Sequence, residues 1–105
     1  MSADITLNSS AGSFPPAGHY SHSTTAGGFV FISGQLPVTF DGEKKADASF
    51  EDQTRLVLKN IDACLAGAGA SRQHLVSVRV YVTDMNQWPT FNKIYGEWIG
   101  DFRPS

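Results

Sequence analysis

Apolar residues recur at helical spacing in the middle of the chain. Between Ser49 and Gly69 they return every three or four residues, which predicts an amphipathic helix. Ser49 is a suitable N-cap with Asp52 three residues on, and Gly67 and Gly69 are suitable residues to end the helix. The predicted apolar face consists of Thr54, Val57, Leu58, Ile61, Cys64, Leu65 and Ala68.

A strand-like alternation follows over residues 75–83. The even-numbered positions are valines and the odd-numbered ones include Arg79 and Tyr81, which predicts a strand with a helix layer on its valine face. A second helix is predicted to begin near Asn86, with Pro89 in its first turn. Its aromatic stripe, which is typical of core packing, consists of Trp88, Phe91, Tyr95, Trp98 and Phe102.

The N-terminal part of the chain is predicted to contain a β-hairpin. Residues 20–25 and 29–33 form its strands, and residues 26–28, with two glycines, form its turn. The second strand is apolar at four consecutive positions, which indicates a strand covered on both faces or half-buried in an oligomer interface. Residues 34–48 are predicted to be a loop with a small second hairpin or turn at the Asp41-Gly42 pair.

The predicted order of elements is strand, strand, helix, strand, helix, which indicates an α+β fold. Two helices would pack on one face of a mostly antiparallel sheet. A final strand is expected after the second helix, and residues 102–105 are interpreted as the turn that leads into it. We therefore expect residues 18–105 to form a single, C-terminally incomplete domain, preceded by an extended or poorly ordered lead-in over residues 1–17.

Composition narrows the functional classes. A net charge of −2 and eight scattered Lys and Arg residues argue against nucleic-acid binding. The single Cys64 excludes an internal disulfide framework and fits a reducing compartment. No apolar stretch approaches the ~20 residues of a membrane span, and the start does not resemble a secretory signal. We expect a cytoplasmic protein that has no membrane partner.

Few residues suggest metal or nucleophilic chemistry by themselves. His19 and His22 have no acidic or cysteine ligand at a recognisable spacing, so solvated or hydrogen-bonded roles are favoured over metal binding, with a pocket-lining role left open. A phosphate-binding loop precedes the N-terminus of a helix, whereas these glycines come at the end of the first helix, so they are not interpreted as a phosphate loop. Ser33 is not in a nucleophile elbow, and Cys64 on an apolar helix face is interpreted as an inert small hydrophobe. No metal and no cofactor are expected.

The stretch Ser33-Gly34-Gln35-Leu36-Pro37 is the strongest candidate for a ligand site. It ends an apolar strand, and a glycine there lets bare backbone approach a small polar ligand because it has no side chain and tolerates positive φ. The alternative interpretation is a plain turn at a strand end.

Four segments together resemble a known family. They are the Gly18-x-Tyr20-Ser21 run, the Ser33-Gly34-Gln35-Leu36-Pro37 stretch, the strand of residues 76–84 and the Phe91-Asn92-x-x-Tyr95 run. In this order and spacing they resemble the RidA/YjgF family of enamine and imine deaminases, also described as L-PSP endoribonucleases, over residues 18–105. The resemblance implies a chorismate-mutase-like α+β fold and a homotrimer with small-molecule sites between subunits. The implied activity is hydrolysis of 2-aminoacrylate-type imines to keto acid and ammonia, as in 2-iminobutanoate/2-iminopropanoate deaminases.

The resemblance also implies roles for individual residues. Tyr20 would line the cleft and contact substrate, Ser33 and Gly34 would offer polar groups and backbone, and Asn92 would orient the pocket. The family usually has Pro at the position of His19 and Gln at that of His22, which indicates a variant branch. Its carboxylate-binding Arg would come directly after Ser105, and its water-handling Glu on the strand beyond.

Two other functions remain open at this stage. The first is a non-catalytic trimeric module that binds small metabolites or partner proteins, because the expected Arg and Glu are not in the sequence. The second is an endoribonuclease or translation inhibitor, against which the acidic balance of the chain counts.

Overall fold

The computed structural model describes residues 4–105, and its sheet lies in the N-terminal third of the chain. Three strands form this sheet, antiparallel throughout and in the order β1-β2-β3. They are β1 (Thr6–Asn8), β2 (Ser23–Ala26) and β3 (Phe29–Ile32). Leu7 is opposite Thr24, and Thr24 is opposite Phe31, so these three side chains share one face of the sheet.

The predicted hairpin is confirmed as β2 and β3. Gly27 and Gly28 join the strands with φ values of 58° and 82°. Positive φ at both central residues is the requirement of the tight hairpin turn whose twist matches that of the strands. The first strand begins at Ser23 and not at Tyr20, and the chain bends at His22 directly before it.

Strand β1 falls within the predicted lead-in. Its backbone pairs with β2, and Asn8 Nδ2 donates a hydrogen bond to Thr25 Oγ1 at 2.9 Å. Three residues give too little alternation to predict a strand from sequence. Residues 1–3 of the lead-in lie outside the described residues.

Helix α1 (Phe50–Gly67) agrees with its prediction. Ser49 Oγ accepts a hydrogen bond from Asp52 N–H at 3.1 Å, as expected of the N-cap. Four members of the predicted apolar face are buried, and the others are half-buried. The buried members are Thr54, Leu58, Cys64 and Leu65.

The two glycines at the end of α1 have different functions. Gly69, with φ of 73°, follows the cap, and its N–H donates to Ala66 O at 3.0 Å while Ala70 N–H donates to Leu65 O at 2.8 Å. These two bonds form the glycine-dependent C-terminal motif of helices. Gly67 is the last helical residue, and a Cβ there would lie 2.5 Å from Ser10 Oγ, so glycine allows the N-terminal segment to touch the helix.

The small hairpin expected within residues 34–48 is confirmed. Val38 and Lys44 form an antiparallel bridge, and Gly42 in the intervening turn has φ of 89°. Asn60 on α1 donates from Nδ2 to Leu36 O at 3.0 Å and to Val38 O at 2.9 Å. The helix therefore fixes the segment that follows β3.

The strand predicted at residues 75–83 is not assigned. From Val78 to Val82 its exposure alternates as expected, with the valines half-buried and Tyr81 exposed, but Val76 is 67% exposed. Within residues 4–105, however, the only backbone hydrogen bonds of this segment to a distant part of the chain involve Ser105, which accepts from Val78 N–H at 2.7 Å and donates to Val76 O at 3.0 Å. A strand requires a partner ladder as well as alternating side chains, so this prediction was wrong.

Helix α2 (Trp88–Ile99) packs against α1, which in turn packs against β3. Pro89 lies in its first turn as predicted, after a short 3-10 turn at Met85–Gln87. The aromatic stripe is formed by stacked or tilted ring pairs, but Phe91 is its only member among the most buried residues. The most buried hydrophobic side chains are Leu58, Cys64, Leu65, Phe91, Ile94 and Ile99.

Candidate active site

An open cleft of about 610 Å³ lies on the sheet face that carries Leu7 and Phe31. The segment before β2 and the residue after β3 close it on one side. Its lining residues are Leu7, Gly18, His19, Tyr20, Ser21, Thr24, Phe31, Ile32 and Ser33. Polar groups from residues 18–21 and 33 thus face an apolar floor provided by the sheet, an arrangement suited to a small polar ligand.

Tyr20 lines this cleft and is about half exposed. Its phenol oxygen accepts a long hydrogen bond, 3.4 Å, from Ala17 N–H. Gly18 lies beside the ring, since a Cβ there would be 3.3 Å from Tyr20 Cε1. Because the phenol oxygen accepts from the backbone, its hydrogen is available to donate to a ligand.

Ser33 lies beside Tyr20 in the same lining and is held on three sides by the protein. Its Oγ donates to Ser21 O at 2.6 Å, its N–H donates to His22 O at 3.2 Å, and its carbonyl accepts from Gln35 Nε2 at 2.9 Å. A hydroxyl has one hydrogen to donate. Since that hydrogen is bound to Ser21, Ser33 Oγ can only accept from a ligand.

Gly34 and Asn92 are not among the lining residues of the cleft formed by the described part of the chain. Gly34 is exposed, a Cβ there would meet no described atom within 4 Å, and its φ is not positive. Asn92 is exposed on α2. The fold therefore brings Tyr20 and Ser33 together, but it does not bring Asn92 to them within one chain.

His22 is buried and is not among the lining residues of the cleft, whereas His19 is. Its Nδ1 accepts from Ser10 N–H at 3.0 Å, which places the ring hydrogen on Nε2, and this hydrogen is donated to Phe14 O at 2.8 Å. Only 7% of the residue is exposed. His22 therefore fastens the N-terminal segment to the sheet, whereas His19 lies in the exposed cleft.

A second hollow, of about 380 Å³, lies where α1 ends. Arg72 binds both carboxylate oxygens of Asp62 at 2.7 and 2.8 Å, donates to Trp98 O at 2.6 Å and stacks on the Trp98 ring. The hydrogen bond to Asp62 raises the pKa of the Arg72 guanidinium. The charges of Arg72 and Asp62 neutralise each other, so these residues form a structural contact between the helices. No sequence pattern predicted this contact.

The remaining chemical groups of residues 4–105 include potential metal ligands and reactive side chains. Within residues 4–105, no three His, Cys, Asp or Glu side chains lie close enough to hold a metal ion. Cys64 is buried and unpaired. Burial raises the pKa of the Tyr95 phenol, and the positive charge of Arg103 acts in the opposite direction. In the described part of the chain, neither helix is long and apolar enough to cross a membrane.

A family model described as Endoribonuclease L-PSP matches residues 11–105. The chain belongs to this family. A RutC family protein of Pyrococcus horikoshii is 40% identical over 90 residues, which cover 86% of this chain and 71% of that protein. TdcF of Escherichia coli, named as a candidate reactive intermediate deaminase, is 36% identical over 85 residues, which cover 80% of this chain and 64% of TdcF.

Solved structures of the family share the fold. Yeast Mmf1 superposes with a TM-score of 0.91 at 29% identity, covering 97% of this chain and 81% of that one. TdcF with bound serine superposes with a TM-score of 0.84 at 30% identity, covering 95% and 78%. RidA from a Psychrobacter species gives 0.88 at 26% identity, covering 95% and 80%. The predicted α+β fold and the resemblance to the RidA/YjgF family are confirmed.

Proposed function

We propose that this protein hydrolyses reactive imines and enamines of the 2-aminoacrylate type to a keto acid and ammonia, without a cofactor, in the cytoplasm. The observation that carries the proposal is the cleft in which Tyr20 offers a hydrogen-bond donor and Ser33 an acceptor over an apolar floor. The name of TdcF and its structure with bound serine support a small amino-acid-like ligand for this family.

The hydrogen-bonding roles of Ser33, an acceptor, and Tyr20, a donor, suit an imine substrate. The substrate nitrogen carries a hydrogen that Ser33 Oγ can accept, while the Tyr20 hydroxyl can donate to an oxygen of the substrate or of the attacking water. Water adds to the imine carbon to form a C–O bond, and one of its protons moves to nitrogen. The remaining hydroxyl proton then moves to nitrogen as the C–N bond breaks, which releases ammonia and leaves the ketone. The protein contributes orientation and placed hydrogen bonds.

We further propose a homotrimer with its sites between subunits. On the open face of the sheet, Leu7, Phe29 and Phe31 are 70%, 58% and 61% exposed. Contiguous apolar surface of this kind marks an interaction site. A neighbouring subunit at this face would also bring further groups to Tyr20 and Ser33, and would give Gly34 and Asn92 the site roles that the resemblance implies.

The proposed function is tested with an imine that a second enzyme generates in the assay mixture. A pyridoxal-phosphate dehydratase acting on threonine supplies 2-iminobutanoate, and the rate of keto-acid release is measured with and without the full chain. We expect acceleration over buffer, and a loss of about tenfold or more in Tyr20→Phe, which lacks the donor. Tyr81→Phe, at a tyrosine 85% exposed outside the cleft, is the matched control.

Two outcomes would contradict this function. No acceleration by the wild-type protein would remove the enzyme assignment altogether. Saturable binding of 2-oxobutanoate without turnover would instead favour a small-metabolite binding module, the alternative that the bound serine of TdcF keeps open.

A further inference from the structure

The wall of the cleft that precedes β2 belongs to a single loop. Residues 14–22, which we call the cleft loop, contain no helix or strand, and residues 18–21 of this loop line the cleft. Two hydrogen bonds tie its C-terminal end to the residue after β3, since Ser33 Oγ donates to Ser21 O and Ser33 N–H donates to His22 O. The position of the rest of the loop therefore depends on how its N-terminal end is held.

Phe14 is the N-terminal end of the cleft loop, and it contacts His22. His22 Nε2 donates to Phe14 O at 2.8 Å, so this bond closes the loop. Only 7% of His22 is exposed, and its Nδ1 accepts from Ser10 N–H, which fixes the direction in which Nε2 points. The Phe14 ring also lies against Gly42, where a Cβ would be 2.5 Å from it. Both the ring and the carbonyl of Phe14 are therefore held.

The stretch from Phe14 to Tyr20 is suited to transmit this position. Two prolines follow Phe14, and a proline fixes its own φ and restricts the ψ of the residue before it. Ala17 comes next, and its N–H donates to the Tyr20 phenol oxygen at 3.4 Å. Among the described residues, this bond and the one to Phe14 O are the only hydrogen bonds made by residues 14–17. The direction of the Tyr20 hydroxyl thus depends on a stiff segment that begins at Phe14.

We propose that His22 is a positioning residue for imine hydrolysis, because its bond to Phe14 O fixes the cleft loop and thereby directs the Tyr20 hydroxyl toward the substrate. This role rests on the proposed function. His22 is not among the lining residues of the cleft, so it acts only through the loop. Since a small displacement of a group from its productive position lowers the rate of the chemical step, loss of this bond should reduce kcat.

Two amide side chains separate the hydrogen bonds of His22. The amide nitrogen of Gln extends about as far from the backbone as imidazole Nε2, so His22→Gln can keep the bond to Phe14 O. The amide of Asn reaches only to about the position of Nδ1, so His22→Asn can accept from Ser10 N–H but loses the bond to Phe14 O. For 2-iminobutanoate we expect kcat to stay within about threefold of the wild type in His22→Gln and to fall about tenfold in His22→Asn. KM should change less than about twofold in both variants, and circular dichroism should show that both are folded.

A double-mutant cycle distinguishes positioning from a merely structural role. If His22 acts through Tyr20, adding His22→Asn to Tyr20→Phe should lower kcat by less than about twofold, because the hydroxyl that the loop directs is already missing. His74→Asn, at an exposed histidine outside the cleft, is the matched control and should leave kcat and KM unchanged.

The order of the cleft loop is measured without turnover by ¹⁵N relaxation of the full chain. The backbone order parameters of residues 18–21 should be about 0.85 in the wild type and in His22→Gln, and should fall below about 0.6 in His22→Asn.

Three kinetic outcomes would overturn the positioning role: wild-type kcat in His22→Asn, equal losses in the two amide variants, or a further tenfold loss when His22→Asn is added to Tyr20→Phe. A wild type that does not hydrolyse the imine would overturn the deaminase activity. In that case, lowered order parameters in His22→Asn would still support the hold of His22 on the loop, and unchanged ones would overturn it.

Discussion

Two histidines three residues apart illustrate how burial decides what a side chain does. His19 lies exposed in the cleft, whereas His22 is buried with both ring nitrogens hydrogen-bonded to backbone groups. A buried polar group without partners costs free energy. The partners of His22, Ser10 N–H and Phe14 O, belong to a segment with little secondary structure of its own, so the two hydrogen bonds of His22 help to hold that segment in place.

His22→Ala should therefore destabilise the fold. It removes both hydrogen bonds and leaves Ser10 N–H and Phe14 O unpaired beside a small cavity. We expect the free energy of unfolding to fall by about 2–4 kcal/mol, as measured by urea denaturation. His19→Ala is the control and should change it by less than about 0.5 kcal/mol, since His19 is exposed. Equal effects of the two substitutions would show that His22 does not fasten the segment.

At the residue scale, the motifs predict Tyr20 and Ser33 as site residues. Both line the same cleft, and their roles toward a substrate stay predictions. Whether the Ser33 hydroxyl donates to or accepts from a ligand could not be predicted, because its hydrogen is donated to Ser21 O, twelve residues away in the sequence. Glycine at position 34 was expected to serve a close approach or positive φ, and neither occurs among the described residues.

At the scale of elements, one polar joint connects the two helices. Asp62 of α1 accepts from Arg72 and from Trp98 Nε1, the latter at 3.0 Å, while Arg72 also donates to the carbonyl of Trp98 on α2. A planar guanidinium suits this arrangement because it donates in two directions at once. Hydrophobic contacts alone specify the angle between two helices less strictly, so the joint helps to fix the orientation of α2 relative to α1.

Arg72→Lys tests this joint. Lysine cannot reproduce the paired bonds to Asp62 together with the bond to Trp98 O, so we expect a loss of about 1 kcal/mol, modest because the pair is partly exposed. Thermal unfolding followed by Trp fluorescence gives the measurement. Glu43→Gln, which removes the charge from the exposed Lys45–Glu43 pair, should leave the melting temperature unchanged within experimental error. A joint without structural importance would make the two losses equal.

A helix or strand could be predicted from sequence when the residues that determine it lie within one short segment of the chain. Helix α1 carries its N-cap and apolar periodicity within one segment, and the hairpin carries its turn glycines between its strands. The segment of residues 75–83 shows alternation just as clean, yet strand formation depends on a backbone partner elsewhere. Strand β1 was not predicted, for the opposite reason. Its backbone partner β2 is present, but its three residues carry too little pattern to indicate a strand.

At the scale of the whole molecule, the two faces of the sheet differ. The face that packs toward α1 includes the buried Ser23, whereas the opposite face exposes Leu7, Phe29 and Phe31. The apolar run of β3 was interpreted as covered on both faces or half-buried in an oligomer interface. In the single chain one face is open, so β3 is not covered on both faces within one chain. Its burial in an oligomer interface stays a prediction and forms the basis of the proposed trimer.

Phe31→Glu tests the proposed assembly. Sedimentation should give the wild type three times the 11.4 kDa mass of one chain and give Phe31→Glu the mass of one, because a buried charge without a partner opposes association. Circular dichroism should show that the variant stays folded, since Phe31 is exposed in the single chain. Phe40→Glu places the same charge at a residue 63% exposed in the small hairpin, away from the sheet face, and should remain trimeric. A wild type that sediments as one chain, or a trimeric Phe31→Glu, would contradict the assembly.

Phe29→Glu tests whether the site requires two subunits, because Phe29 lies on the same open face as Phe31 but is not among the lining residues of the cleft. If two subunits are required, Phe29→Glu will be monomeric and will lose imine hydrolysis, while Phe40→Glu will keep it. A monomeric Phe29→Glu that retains full turnover would place the complete site within one chain.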